Sequence, residues 1–174
     1  MAGASVQRIL AVLRTTLYAS VFIAFFLVYL PWALAIRGRA VSYEGLGVLR
    51  WLAVVPLLGG AYIALSCVAA FAWRGLGTPA PFDPPRKLVV SGFYRYVRNP
   101  MYLGAALAIV GETALFGSVL AGLGYLAVLG VALAVFVIAY EEPALRAKFG
   151  AEYEEYCRHV PRFIPRLTPW KGGS

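Results

Sequence analysis

Apolar residues in this chain fall into long unbroken runs, so the helices they build are hydrophobic on every side and not along one stripe. Such helices belong either in the core of a large protein or in a bilayer. A run from about Thr16 to Ile36 and a second from Trp51 to Trp73 are each long enough to cross a membrane, which takes about 20 residues. The second carries a tryptophan at both ends, where the amphipathic indole favours the membrane interface. From Arg74 to Pro100 the pattern is lost: Pro79, Pro81, Pro84 and Pro85 exclude a regular helix, and a loop of about 27 residues is usually functional. Apolar residues then run from Met101 to Val110, break at Gly111-Glu112 and resume from about Leu115 to Tyr140. This predicts two antiparallel helices with a tight turn near Glu112. The first is short for a crossing, so a tilted or partly embedded helix and a re-entrant hairpin both satisfy it. Gly117, Gly122, Gly124 and Gly130 in the second would permit close helix contacts.

From Glu141 to about His159 charges are interleaved, with Leu145, Phe149, Tyr153 and Tyr156 at helical spacing. This predicts an amphipathic helix whose apolar stripe lies on the bilayer surface or closes over the preceding loop. Beyond it, Pro161 and Pro165 keep the segment to Arg166 extended. The fold class expected is an all-α integral membrane protein with about four transmembrane helices plus a C-terminal amphipathic helix. Residues 1–74 form a two-helix membrane region and 75–174 the remainder, within one structural domain.

Composition agrees: 61% of the 174 residues are hydrophobic, against roughly 45–50% in soluble domains. A soluble domain of this size could not cover such an excess. The first run has Arg8 and Arg14 before it and an Ala33-Leu34-Ala35 triplet near its end, the flanks of a signal peptide. It exceeds the roughly 7–15 apolar residues of a signal core, which favours an uncleaved anchor. The net charge of +8 resides between and beyond the runs. Basic residues so placed suit anionic lipid better than nucleic acid, which is not expected as a partner. Lys and Arg number two before the first run, three in the next loop, five from Arg74 to Arg98, none near Glu112 and six after Tyr140. The positive-inside rule then puts the N-terminus, the Pro-rich loop and the C-terminal segment in the cytoplasm, a bacterial inner membrane being the expected location. Cys67, Cys157 and His159 have no metal-ligand spacing, and no disulfide framework or metal is expected.

Two clusters on the cytoplasmic side could carry chemistry. One runs from Gly92 to Gly104 and includes Tyr94, Arg98, Asn99, Pro100, Met101 and Tyr102. Pro100 suits the first position of a helix, whose free N–H groups, with Arg98, would receive a carboxylate. The plainer reading is an interfacial belt of aromatics and arginine. The other is Glu141-Glu142 at a membrane boundary, where adjacent carboxylates need solvation or a partner such as Arg95 or Arg98, or else bind a cation. S-adenosylmethionine carries a carboxylate, an ammonium, a sulfonium and an adenine, and the two clusters supply a complementary set. Tyrosine faces attract a sulfonium as they do other cations.

Tyr94 through Gly104, followed about 40 positions later by Glu141-Glu142, Phe149-Gly150, Tyr153, Tyr156 and Val160-Pro161, resembles the isoprenylcysteine carboxyl methyltransferase family and its phospholipid methyltransferase relatives. The likeness covers roughly residues 75 to 167. It implies a membrane-embedded, non-Rossmann, S-adenosylmethionine-dependent methyltransferase acting on a lipophilic acceptor. It further implies that Arg86, Lys87, Leu88, Val89, Tyr94, Asn99, Pro100, Met101, Tyr102 and Glu141 line the cofactor site, with Glu142 beside them, and that Arg98, Asn99 and Tyr102 stand nearest the chemistry. Two departures matter. Where the family has Arg-His-Pro this chain has Arg98-Asn99-Pro100, so an amide that does not titrate replaces a histidine. Where eukaryotic members place an arginine one turn before the glutamate pair, this chain has Val137, which argues against a carboxylate acceptor held in the same way. The acceptor is otherwise open among an isoprenoid or other lipid carboxylate, a phospholipid amine and a small thiol. The non-enzymatic alternative is a small transporter or structural subunit whose loop binds headgroups; a transporter would show polar or broken helices near the midplane.

Overall fold

The computed structural model describes residues 23–37, 47–71, 86–116 and 119–172, with six further positions between Leu10 and Val21. Every regular element among them is helical. A π-helical segment, Ile23–Tyr29, leads into α1 (Leu30–Arg37). A 3₁₀ segment, Gly47–Ala53, leads into α2 (Val54–Ala70). After a 3₁₀ turn at Gly92–Arg95 come α3 (Pro100–Phe116) and α4 (Val119–Phe136). A second π-helical segment, Val137–Glu141, joins α4 to α5 (Glu142–Phe149), and α6 spans Ala151–His159. Segments 38–46 and 72–85, and with them the four prolines of the loop, lie outside the described residues, as do positions 18, 19 and 22 of the first predicted run.

Two continuous helices are long and apolar enough to cross a membrane: Arg50–Ala70, of 21 residues, and Leu120–Phe149, of 30. Only 22% and 11% of their apolar windows are buried within the protein, too little for core helices of a soluble domain. Val55 is 70% exposed and Leu120 85% exposed, surfaces that hydrocarbon would cover. The two other apolar helices, Ile23–Ala33 and Pro100–Phe116, are shorter. Helices of full spanning length thus number two among the described residues, where the sequence predicts about four.

The predicted break at Gly111-Glu112 is absent. α3 continues through both residues to Phe116, because Gly111 lies against α2, where a Cβ would collide with the backbone of Leu57 and come within 2.6 Å of the Ala53 carbonyl. Gly60 and Gly104 make the same crossing: a Cβ on Gly60 would strike the Gly104 carbonyl, and one on Gly104 would lie 2.9 Å from the Gly60 carbonyl. With no hydrophobic drive between helices in lipid, close backbone approach through small residues is what packing has to use. Of the glycines predicted to serve this way, Gly122 does, against Thr113. A Cβ on Gly124 or Gly130 would meet nothing within 4 Å, and Gly117 lies outside the described residues.

The predicted amphipathic helix is two helices. Gly150, at φ +53°, sits in the left-handed half of conformational space that glycine tolerates best, and the chain turns there between α5 and α6. The turn folds the apolar stripe inward: Tyr153, Tyr156 and Val160 are buried against Leu88, Val90, Leu145, Phe149 and Trp170. Of the two readings of that stripe, closure over the loop is the one observed.

Candidate active site

Residues 88–90 run extended between two apolar clusters, and alternation assigns their side chains. Leu88 and Val90 join the α6 cluster, while Val89 is buried with Cys67 and Tyr94, backed by Phe71, Phe93 and Met101. Arg86 and Lys87 are exposed beside them, and Lys87 lines a cavity of about 330 Å³ with Leu88, Val89, Glu152 and Trp170.

Gly92, at φ +57°, opens the 3₁₀ turn that buries Tyr94. The Tyr94 ring meets Phe71 edge-on at 5.6 Å, and its carbonyl accepts the Tyr156 hydroxyl at 2.7 Å. Burial pushes the phenols of Tyr94, Tyr153 and Tyr156 well above their ordinary value, so all three stay protonated at neutral pH.

The segment after α6 lies along the turn and holds it. Arg98 N–H donates to the Pro161 carbonyl at 2.9 Å, Arg166 N–H to Tyr96 at 3.0 Å and Trp170 N–H to Arg95 at 2.9 Å. Arg95 Nε returns a bond to the Trp170 carbonyl at 2.6 Å, and the Trp170 indole stacks on His159 at 5.1 Å. Asn99 is buried, and its amide donates to the Arg162 carbonyl at 3.0 Å.

The two adjacent glutamates point to different partners. Glu142, its side chain 3% exposed, is surrounded by three arginines: Arg162 at 2.6 and 2.9 Å, Arg98 at 3.0 Å and Arg146 at 3.4 Å. Of the two ways open to the adjacent carboxylates, solvation or a partner, Glu142 takes the second as an enclosed ion pair, and Arg98, one of the two partners foreseen, supplies part of it. Glu141 instead accepts the Tyr102 hydroxyl at 3.0 Å, and among the described residues it forms no ion pair with an arginine. Arg98 also lies 2.7 Å from Cys157 Sγ, while its buried Nε has no partner among the described residues.

Of the residues singled out in the sequence, the fold joins Val89, Tyr94 and Met101 in one cluster, Tyr102 to Glu141 and Arg98 to Glu142. Pro100 opens α3 and is fully buried, whereas Arg86 and Lys87 sit at the exposed margin. Arg162, Cys157 and Trp170 were not foreseen: Arg162 and Trp170 follow α6 in a segment that no periodicity marks, Cys157 sits on α6 itself, and their partners lie 20 to 75 positions away. Among the described residues no three His, Cys, Asp or Glu side chains gather in a group that could hold a metal ion.

The sequence profile of the phospholipid methyltransferase family matches residues 48–152. Similar curated proteins include a cobalt-zinc-cadmium resistance protein of Cupriavidus metallidurans, 38% identical over 50% of this chain and 39% of its own length. A methanethiol S-methyltransferase of Bradyrhizobium diazoefficiens is 38% identical over 42% of this chain and 27% of its own. A protein-S-isoprenylcysteine O-methyltransferase of Schizosaccharomyces pombe is 36% identical over 46% of this chain and 34% of its own. The chain thus aligns with less than half the length of each of these relatives. No solved structure matches it.

Proposed function

The chain belongs to the phospholipid methyltransferase family, and from that premise we propose that it is a membrane-embedded S-adenosylmethionine-dependent methyltransferase acting on a lipophilic acceptor. The observation that carries the reading is the pairing of Tyr102 with Glu141 across 39 positions, beside the buried Tyr94 cluster. The residues fit the donor in two respects. Glu141, held by one hydrogen bond and free of arginine, is an acid available to an ammonium group. The orphaned Arg98 Nε and the first N–H groups of α3 are donors available to a carboxylate.

S-adenosylmethionine, when bound, supplies a methyl group that passes to a lone pair on the acceptor while the sulfur keeps the electrons of the broken C–S bond. The protein's part is positioning, which alone is worth up to roughly 7–11 kcal/mol in well-oriented reactions. Tyr102 fixes the rotamer of Glu141, and Glu142 fixes Arg98. Asn99 holds the 161–162 segment through its amide, a positioning task that needs no titration. Tyr94, kept protonated by burial, is a hydrogen-bond donor and not a base.

The shorter helices Ile23–Ala33 and Pro100–Phe116 would complete four crossings by tilting or local bilayer thinning. The count of basic residues supports a multi-pass inner-membrane protein with this site on the cytoplasmic face. Both halves of the chain act as one unit, because Cys67 and Phe71 share a cluster with Val89, Tyr94 and Met101. A small thiol is the second reading for the acceptor, favoured by the Bradyrhizobium relative; methyl-labelled donor offered methanethiol or lipid extract separates the two.

The cofactor site is tested by isothermal titration of S-adenosylhomocysteine into the detergent-purified protein. Saturable binding is expected in the wild type, weakened about tenfold or more in Glu141→Ala, as loss of one charged hydrogen bond implies. Equal affinity in the variant would remove Glu141 from the site.

A further inference from the structure

The apolar stripe of α6 is turned inward, against Leu88, Val90 and Trp170, so it is not what the cap offers to the bilayer. The segment after it differs. Among the described residues beyond Glu141, the large apolar side chains left exposed are those of Ile164, at 79%, and Leu167, at 98%. Both stand on the strap that holds the 3₁₀ turn through backbone bonds at Arg98, Arg166 and Trp170. The strap is thus fixed along one side by its main chain and presents two aliphatic side chains on the other, where leaving water is favourable.

Depth and charge identify what covers them. Arg98, which the strap bonds, stands two places before Pro100 opens a membrane helix, and Pro169 lines one cleft with Tyr62, Ser66 and Ala70 of α2. α2 belongs to a helix long enough to cross the bilayer, and Tyr62 on it is 66% exposed, so the strap runs beside a flank that faces lipid. From Tyr156 to Lys171 the chain carries Arg158, Arg162, Arg166 and Lys171 and no acid. The acids of the cap's surface, Glu152, Glu154 and Glu155, are instead exposed together on the first turns of α6. An anionic membrane surface attracts the first group and repels the second, which turns the strap toward the leaflet and the start of α6 away from it. Arg166 gives one terminal nitrogen to the His159 carbonyl, and Lys171 is exposed; their long stems let the charged ends reach headgroups above Ile164 and Leu167.

We propose that residues 163–171 are an interfacial foot: Ile164 and Leu167 enter the acyl boundary of the cytoplasmic leaflet, Arg166 and Lys171 hold anionic headgroups, and the leaflet thereby secures the strap on the Arg95–Arg98 turn. Helices seated in a bilayer are all that this requires, so it stands apart from the methyltransferase reading. The membrane then becomes part of the cap. Arg98 and Asn99, both bonded by the strap, are held more firmly on an anionic surface than on a zwitterionic one.

Two measurements on the full chain in nanodiscs test it. The first is photo-crosslinking with p-benzoylphenylalanine in place of Leu167 or, as a control on the acidic face, of Glu154, in discs of mixed phosphatidylglycerol and phosphatidylcholine. Mass spectrometry should find phospholipid attached at position 167 and not at 154. Capture of a second copy of the chain at 167, equal lipid capture at both positions, or no lipid adduct at 167 overturns the proposal. The second is hydrogen exchange of the amides of Arg98, Arg166 and Trp170, whose bonds the strap makes. Exchange should be about tenfold or more slower in the mixed discs than in phosphatidylcholine alone, as two basic groups at an anionic surface imply. The Ile164→Ser/Leu167→Ser variant, altered only at exposed positions, should keep its helical circular dichroism and lose the difference. Equal rates for the wild type in both discs overturn the proposal. So does the same slowing in phosphatidylcholine discs on adding millimolar glycerol phosphate, a soluble headgroup for which Ile164 and Leu167 need no bilayer.

Discussion

Glu141 and Glu142 are neighbours in sequence with opposite surroundings, one on a tyrosine and one among three arginines. Removing the charge of Glu142 strands Arg98, whose side chain is 10% exposed, and breaking a buried pair typically costs about 3–5 kcal/mol. Glu142→Gln should therefore lower the unfolding midpoint in detergent markedly, whereas Glu141→Gln, which keeps an acceptor for Tyr102, should leave it nearly unchanged; thermal unfolding followed by circular dichroism reads both. The buried tyrosines add a pH dependence. Their folded values lie above the ordinary value of about 10, so the native state holds the protons longer than the unfolded chain does. Their contribution is fully present below about pH 10 and is lost as pH rises toward the folded values. Thermal stability should be flat through neutral pH in this respect and fall above about pH 10, less steeply in Tyr156→Phe. What the sequence revealed at this scale were residues whose chemistry is conspicuous where they stand: an acid pair ending an apolar run, and a tyrosine two places after a helix-opening proline. It hid Arg162, which looks like any basic residue between prolines until the chain folds back 20 positions onto Glu142.

At the scale of elements, the α2–α3 pair is set by where small residues fall. Gly104→Leu forces side-chain atoms into the Gly60 carbonyl and should cost about 1–3 kcal/mol or more, while Gly124→Leu, on an open face of α4, should be neutral in the same unfolding assay. Helix existence was legible from the apolar runs alone, because hydrocarbon solvation needs no pattern finer than hydrophobicity. Helix ends were not. A glycine and a glutamate side by side read as a turn, yet Gly111 serves close packing and α3 passes through. The reverse happened at Gly150, where unbroken helical spacing from Leu145 to Tyr156 concealed a reversal that one positive φ angle makes.

For the whole molecule, the described parts divide into membrane helices that pack through small residues and a polar cap assembled from segments distant in sequence. The cap depends on residues 161–170, which bond to the backbone from Arg95 to Arg98. A chain ended after Val160 should keep its helical circular dichroism and its insertion in membranes but lose S-adenosylhomocysteine binding, since Arg98, Asn99 and Glu142 all lose partners; retained affinity would show that the segment is dispensable to the site.

That same ladder sets a clock on biosynthesis. Arg95 and Trp170 are 75 positions apart, so at roughly 5–20 residues per second the turn is made about 4–15 s before the segment that completes it. Throughout that interval the spans can already occupy the bilayer while the arginines of the cap face water and anionic headgroups without their final partners. A chain held on a ribosome stalled near Val160 would be one in which the bonds of Arg95 to Trp170, Tyr96 to Arg166 and Arg98 to Pro161 cannot yet form.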